Sequence, residues 1–254
     1  MKSIKIVIAA TLAASTFIAS SMAMAAEEKE KEKKSPWTST AELGYVVTSG
    51  NSETSTINAK IDATHEKESW RHNVHAESFA SSTTDKTTNI ETRSAERYQL
   101  SGKSDYKFNE TDYAFALLNY DKDRFSGYQY QASVSLGYGR RLLNEKDMTF
   151  DAEVGPGMRT IKVDGAQDSE SEGLLRLAIK YVWKVSDNST FTEDLSSDFA
   201  SDLTVTKSIT ALTANINSSL AMKLSLTTKN NSVVPAGSKK TDTETAVTLV
   251  YSFQ

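Results

Sequence analysis

From Trp37 onward, apolar and polar residues alternate almost one for one. The clearest case places Tyr128, Tyr130, Ala132, Val134, Leu136 and Tyr138 on one face, with Gln129, Gln131, Ser133, Ser135, Gly137 and Gly139 between them. Successive side chains of a strand point to opposite faces, whereas a helix needs apolar residues three and four apart. The same period of two runs through Ala41 to Val47, Ile57 to Ala63, Tyr98 to Phe108, Met148 to Val154, Leu175 to Trp183 and Leu220 to Leu226. The chain is therefore all-β.

Turn-forming residues separate these runs in two alternating sets. One set is tight: Glu66 to Ser69, Asn109 to Asp112, Asn144 to Asp147, Ser186 to Ser189 and Asn217 to Ser219. The other is mostly longer: Ser49 to Ser52, Ser81 to Thr88, Asp121 to Gly127, Ile161 to Ser171, Phe199 to Leu203 and Pro235 to Asp242. Together they delimit twelve strands. The fifth and ninth fit the pattern least, since Tyr113 to Tyr120 is apolar on both faces and Glu193 shares a face with Leu195.

A soluble sandwich also alternates, with its apolar face turned inward. Three features favour a transmembrane antiparallel β-barrel of about twelve strands. Short and long connections alternate, as periplasmic turns and outer loops do in outer-membrane barrels. An even strand count closes an antiparallel sheet with both termini on one side, and closure removes the unpaired edges that lipid cannot solvate. Aromatics fall into two bands: Trp37, Trp70, Trp183, Phe108, Phe150 and Phe253 at the tight-turn ends, Tyr128 and Tyr130 at the opposite rim. Glu96 points outward in this register but lies beyond the 9–11 or so residues that a strand needs to cross. The chain is only 38% hydrophobic. That content excludes a polytopic helical membrane protein but not a barrel, whose polar lumen dilutes its lipid face.

Residues 1–25 read as a secretory signal peptide: Lys2 and Lys5, an apolar run from Ile6 to Ile18, and small Ala23 and Ala25 at the cleavage site. Residues 26–36 form a charged periplasmic segment, and the barrel occupies 37–254. Loss of Lys2 and Lys5 takes the formal net charge from −4 to −6, which argues against nucleic acid as a partner. The absence of Cys suits an exported chain. At the other end, Val247, Leu249, Tyr251 and Phe253 share one face of the last strand, followed by Gln254. This resembles the terminal strand that the barrel assembly machinery reads in outer-membrane proteins.

Several segments together resemble the salt-induced outer-membrane protein family, a group of uncharacterised Gram-negative barrels. They are Gly44-Tyr45 with Thr48-Ser49-Gly50-Asn51-Ser52, Ala95-Glu96-Arg97-Tyr98, Asp123-Arg124-Phe125-Ser126-Gly127 and Gly155-Pro156-Gly157-Met158-Arg159. The resemblance implies an outer-membrane location and one barrel domain. It brings no catalytic residues with it.

A search for chemistry finds little. Nucleophilic catalysis needs a base within hydrogen-bond reach of the nucleophile. None of His65, His72 and His75 has a Ser two residues away, and Ser78 faces away from His75. His72 and His75 cannot share a metal. No enzyme activity, cofactor or metal is expected, and His75 is expected to line the lumen. The inward faces hold Lys60, Asp62, Arg71, Glu77, Glu91, Arg93, Arg97, Lys103, Asp105, Asp151, Glu153, Arg159, Arg176, Lys180 and Lys184. They make either a charged channel selecting small solutes or a salt-bridged lumen packed shut. About twelve strands lie between the filled and the open cases, so size does not decide. Arg124 either caps a turn or folds inward onto a wall carboxylate. The expected partners are outer-membrane lipid and lipopolysaccharide; the outer-loop carboxylates Asp85, Asp164, Asp168, Glu170 and Glu172 read either as solvated loop residues or as a place for divalent cations together with lipopolysaccharide. The expected function is a structural or stress-related envelope barrel with at most limited solute passage. The alternatives are a porin-like diffusion channel and an outer-membrane lipid-modifying enzyme.

Overall fold

The computed structural model describes residues 35–253 apart from 49–51, 86–87, 89, 125 and 235–238. The signal peptide with Ala23 and Ala25, and most of the charged segment after it, lie outside the described residues. Twelve strands follow in order: β1 (Trp37–Thr48), β2 (Ser52–Glu66), β3 (Trp70–Asp85), β4 (Ile90–Lys107), β5 (Asp112–Asp123), β6 (Tyr128–Asn144), β7 (Met148–Val163), β8 (Glu170–Ser186), β9 (Ser189–Ala200), β10 (Val205–Asn215), β11 (Leu220–Asn231) and β12 (Thr241–Phe253). Each pairs antiparallel with its neighbours in sequence, and β1 pairs with β12, so the sheet is a closed barrel.

Closure follows from the alternation. One face of every strand must leave water, and a ring satisfies every backbone group without an edge. The outward face carries Leu43, Ile61, Leu100, Leu118, Leu136, Val154, Leu177, Leu212, Leu224 and Leu249, all well exposed. An apolar exterior over a polar interior defines a bilayer-spanning barrel. At the tight-turn end the aromatics pack in groups. Trp37 packs on His65 at 4.6 Å, Trp70 on Tyr106 at 5.0 Å, Tyr106 on Phe108 at 5.6 Å, and Tyr251 on Phe253 at 4.9 Å. Phe150, Tyr181 and Phe191 form a further group across β7 to β9. Val247, Leu249, Tyr251 and Phe253 all lie on the outward face of β12.

The strands outrun the span. β3 and β4 pair as far as Asp85 and Ile90, so most of the loop expected between Ser81 and Thr88 is strand. The residues there, Ser81-Ser82-Thr83-Thr84, are polar yet suit the pleat, Thr especially.

Four register shifts interrupt the ladders of the described residues, and the two at the long-loop end re-aim side chains that strict alternation misplaces. Ser94 is the extra residue in β4: Ser81 faces Ala95, but Ser82 faces Arg93. Beyond it every side chain changes face. Arg93, expected in the lumen, therefore sits on the exterior with Glu91, and its Nε lies 3.9 Å from Glu96. Gln129 does the same in β6, where Tyr128 faces Val163 and Tyr130 faces Lys162. Tyr130 stays outside, stacked on Tyr120. Tyr128, expected in the outer aromatic band, turns inward and is buried, its hydroxyl donating to the Val233 carbonyl at 3.4 Å.

The two irregular strands have separate causes. In β5 the inward Tyr113, Phe115 and Leu117 form the buried apolar cluster of the lumen. The Tyr113 and Phe115 rings press against β6, where a Cβ on Gly139 would come within 2.3 Å of Tyr113 and one on Gly137 within 2.7 Å of Phe115. In β9 the outward Glu193 accepts hydrogen bonds from Ser208 (2.7 Å) and Thr210 of β10, which reduces the cost of a carboxylate on that face.

Replacing Gly139 with Val would drive a side chain into the Tyr113 ring. We expect G139V to destabilise the barrel by about 1–3 kcal/mol, read from urea unfolding of the detergent-folded protein.

Candidate functional site

Inside the barrel, alternation delivers a charged side chain from nearly every strand, and the closed register decides which of them meet. Of the residues expected there, Lys60, Asp62, Arg71, Glu77, Arg97, Lys103, Asp105, Asp151, Glu153, Arg159, Arg176 and Lys180 lie on the lumen face.

Near the tight-turn end they form a dense layer. Arg71 donates to Asp105 at 2.7 Å, and Arg141 forks onto Asp151 at 2.7 and 3.1 Å. Lys103 pairs with Glu153 across from β4 to β7 and lies over the Tyr113 and Phe115 rings at 5.4 and 5.3 Å. The Tyr113 hydroxyl donates to the same carboxylate at 2.8 Å. Here the lumen is filled by aromatic rings and the cations over them.

Toward the long-loop end the pairs reach across. Arg97 of β4 donates to Glu77 of β3 at 3.0 Å and to Glu244 of β12 at 2.6 Å; Asn58 of β2 holds the other oxygen of Glu244 at 2.9 Å. Lys207 of β10 donates to the side-chain Oε1 of Gln99 on β4 at 3.1 Å, and Nε2 of the same carboxamide donates to Asp121 of β5 at 2.6 Å. Lys229 of β11 returns to Asp121 at 3.2 Å. In a ring of twelve, β4 and β10 are diametrically opposed, as are β5 and β11. One chain of hydrogen bonds thus crosses the lumen and comes back.

The long-loop mouth is further covered. The 201–204 connection tucks Leu203 inward until it is 4% exposed, and its carbonyl accepts from Arg159. Arg159 also donates to Glu172 at 2.6 Å, and the other oxygen of Glu172 accepts from the Asp202 amide at 3.2 Å. Between the layers lies a cavity of about 530 Å³ whose lining includes Asp62, His75, Gln99, Asp121, Asp194 and Lys207.

His75 does line the lumen. Asp62, His75 and Ser101 stand abreast on β2, β3 and β4, a row that spacing along one strand could not show. It lacks the bond that nucleophile activation requires. His75 Nδ1 lies 2.9 Å from Asp62, Nε2 lies 3.7 Å from Glu77, and Ser101 makes no hydrogen bond to the ring. With a carboxylate at each nitrogen, the ring serves the ion-pair network. No group of three or more metal-ligating side chains occurs among the described residues. Arg124 does meet a wall carboxylate, donating to both oxygens of Glu96 at 3.2 Å, but on the outer face of the wall.

Sequence reasoning passed over Glu42, Gln99, Asp121, Lys207, Lys223, Lys229 and Glu244. Each sits at an inward position of its strand. Their pairing depends on ring closure, which brings together residues as distant as Lys223 and Glu42 (2.8 Å).

These features define a bilayer-spanning β-barrel whose lumen is crossed and lined by paired charges. Residues 41–253 match the family model described as "Protein of unknown function, DUF481". The chain belongs to that family. It is 32% identical over 221 residues to the "Uncharacterized protein YdiY" of Escherichia coli (strain K12), covering 86% of this chain and 84% of the relative. Among solved structures it is similar to the NanC porin (10% identity, TM-score 0.48, 85% of this chain and 99% of that one). It is also similar to the translocator domain of the autotransporter NalP from Neisseria meningitidis (8% identity, TM-score 0.47, 86% and 87%).

Arg97 neutralises two carboxylates, whereas Glu244 meets one cation. We expect R97M to lower unfolding stability by about 3 kcal/mol and E244Q by about 1–2 kcal/mol, measured by urea titration in detergent. Equal losses would refute this account of the pair.

Proposed function

We propose that this protein is an outer-membrane β-barrel held closed by its own lumen, a structural element of a Gram-negative envelope with at most limited solute passage. One observation carries this reading: the chain Lys207–Gln99–Asp121–Lys229 joins opposite walls of the barrel. A diffusion channel needs a continuous water path, and rings of unpaired charge give such a path its selectivity. Here the crossing charges are spent on one another.

The outer-membrane placement rests on the tight and long connections at opposite ends, the signal-peptide reading and the outward aromatic at Phe253. The family resemblance adds envelope stress, salt stress among it, as the setting. Porin-like passage is the second reading, favoured by the 530 Å³ cavity between the two charged layers. A lipid-modifying activity finds no support in the His75 geometry.

Conductance in planar bilayers tests the first reading. The native protein is expected to give no discrete steps at moderate voltage, and the triple variant R97A/K207A/K229A to give them. Steady ohmic steps from the native protein would favour the porin-like reading instead. Location is tested separately: the protein is expected in the outer-membrane fraction with heat-modifiable gel migration, and recovery in the soluble periplasm would defeat the proposal.

A further inference from the structure

The exterior of the barrel carries a second charged feature that the lumen does not explain. On the outward face of β4 to β7, at the long-loop end, Tyr98 stands beside Lys122 and Tyr130 beside Lys162. The register of β5 on β6 pairs Tyr120 with Ala132 and Asp121 with Gln131, which sets Lys122 next to Tyr130. The four residues make one row around the wall: aromatic, basic, aromatic, basic. Tyr120 stacks on Tyr130 one step nearer the membrane centre, with ring centroids 6.1 Å apart. The two lysines are two strands apart, roughly 10 Å at the usual strand spacing.

The height of the row is set by the opposite aromatic band. Tyr98 and Tyr106 both face outward on β4, eight residues apart. That is about 26 Å of strand, or about 20 Å of height at the usual tilt of a transmembrane barrel. The row therefore lies at the edge of the apolar band, where the head groups of the leaflet on that side begin. Neither Lys122 nor Lys162 has an anionic partner among the described residues, whereas the nearby carboxylate Glu96 is held by Arg93 and Arg124. Arg93 and Arg124 are taken up by Glu96, so the two ammonium groups of Lys122 and Lys162 are the cations on this stretch of rim that stay without an ion-pair partner among the described residues.

We propose that Lys122 and Lys162, with Tyr98, Tyr120 and Tyr130, form a binding site for a lipid with a phosphorylated head group in the leaflet at the long-loop end. The ammonium groups take the phosphate oxygens, and the tyrosine rings cover the sugar or glycerol and the first methylenes of the acyl chains. Charge selects phosphate, and the apolar band directly below selects a lipid over a free anion. The site rests on the barrel spanning the outer membrane.

The test uses the full-length protein folded in dodecyl maltoside micelles, with diphosphoryl lipid A as the probe and native mass spectrometry as the readout. The native protein is expected to retain the lipid, as is K146Q, a change in the tight turn between β6 and β7. K122Q/K162Q is expected to bind about thirty-fold more weakly, near five-fold per lysine, while K122R/K162R keeps binding. The uncharged monogalactosyl diacylglycerol should not be retained, and millimolar inorganic phosphate should not displace lipid A. Equal retention by K122Q/K162Q would overturn the site, as would retention of the uncharged lipid or displacement by phosphate alone. The assay reads lipid in micelles, so its outcome is independent of the fractionation that tests location.

Discussion

The ladder between the first and last strands is the constraint on which the rest depends. Ser39 to Leu43 pair with Leu249 to Phe253, five pairs that turn an open sheet into a ring. An open sheet in hydrocarbon would leave two rows of unpaired N–H and C=O groups, each costing several kcal/mol. The ring removes both at once. It also defines an inside, and so permits half of each strand's side chains to be polar. The contact is tight where Gly44 lies against β12, since a Cβ there would meet Thr248 at 3.0 Å. Tyr251 and Phe253 place the outward aromatics of the terminal strand directly on this seam.

Once closed, the barrel must do something with the charges it encloses. Leaving them single would expose each to the low-dielectric wall. Pairing them costs desolvation but returns hydrogen bonds made in a confined space. The structure uses two solutions at two heights. Near the tight turns, Tyr113 and Phe115 fill one side, and Lys103 and Arg71 lie over aromatic rings. Farther out, the long side chains of Arg97, Lys207 and Lys229 reach across the interior. Glycine at positions 137 and 139 is what lets the aromatic side be filled without pushing the wall apart.

The twelve strands, the period of two and the aromatic band at the tight turns were legible from local sequence alone, because each depends on neighbours within a hairpin. So was the inward set from Lys60 to Lys180, except Glu91 and Arg93. What stayed hidden depends on longer range or on single residues. Glu244 meeting Arg97, or Lys207 meeting Gln99, follows only from the ring order, which pattern reading does not supply. The apolar double face of β5 departs from the alternation because its inward Tyr113, Phe115 and Leu117 fill the lumen where the other strands present polar groups. The outward Glu193 breaks the alternation of β9 because the hydroxyls that compensate it, on Ser208 and Thr210, lie on the next strand.

The bulges at Ser94 and Gln129 have a consequence for how such a chain can diverge. Each lies beyond the last membrane-facing residues of its strand, so everything on its tight-turn side keeps its orientation. Everything on the far side is inverted. Gain or loss of one residue there leaves the spanning segment untouched and exchanges what the rim shows to the lumen for what it shows to its surroundings. Glu91, Arg93 and Tyr128 are side chains so exchanged. A one-residue insertion or deletion, normally ruinous in a strand, becomes at these positions a polarity switch for the barrel's outer edge.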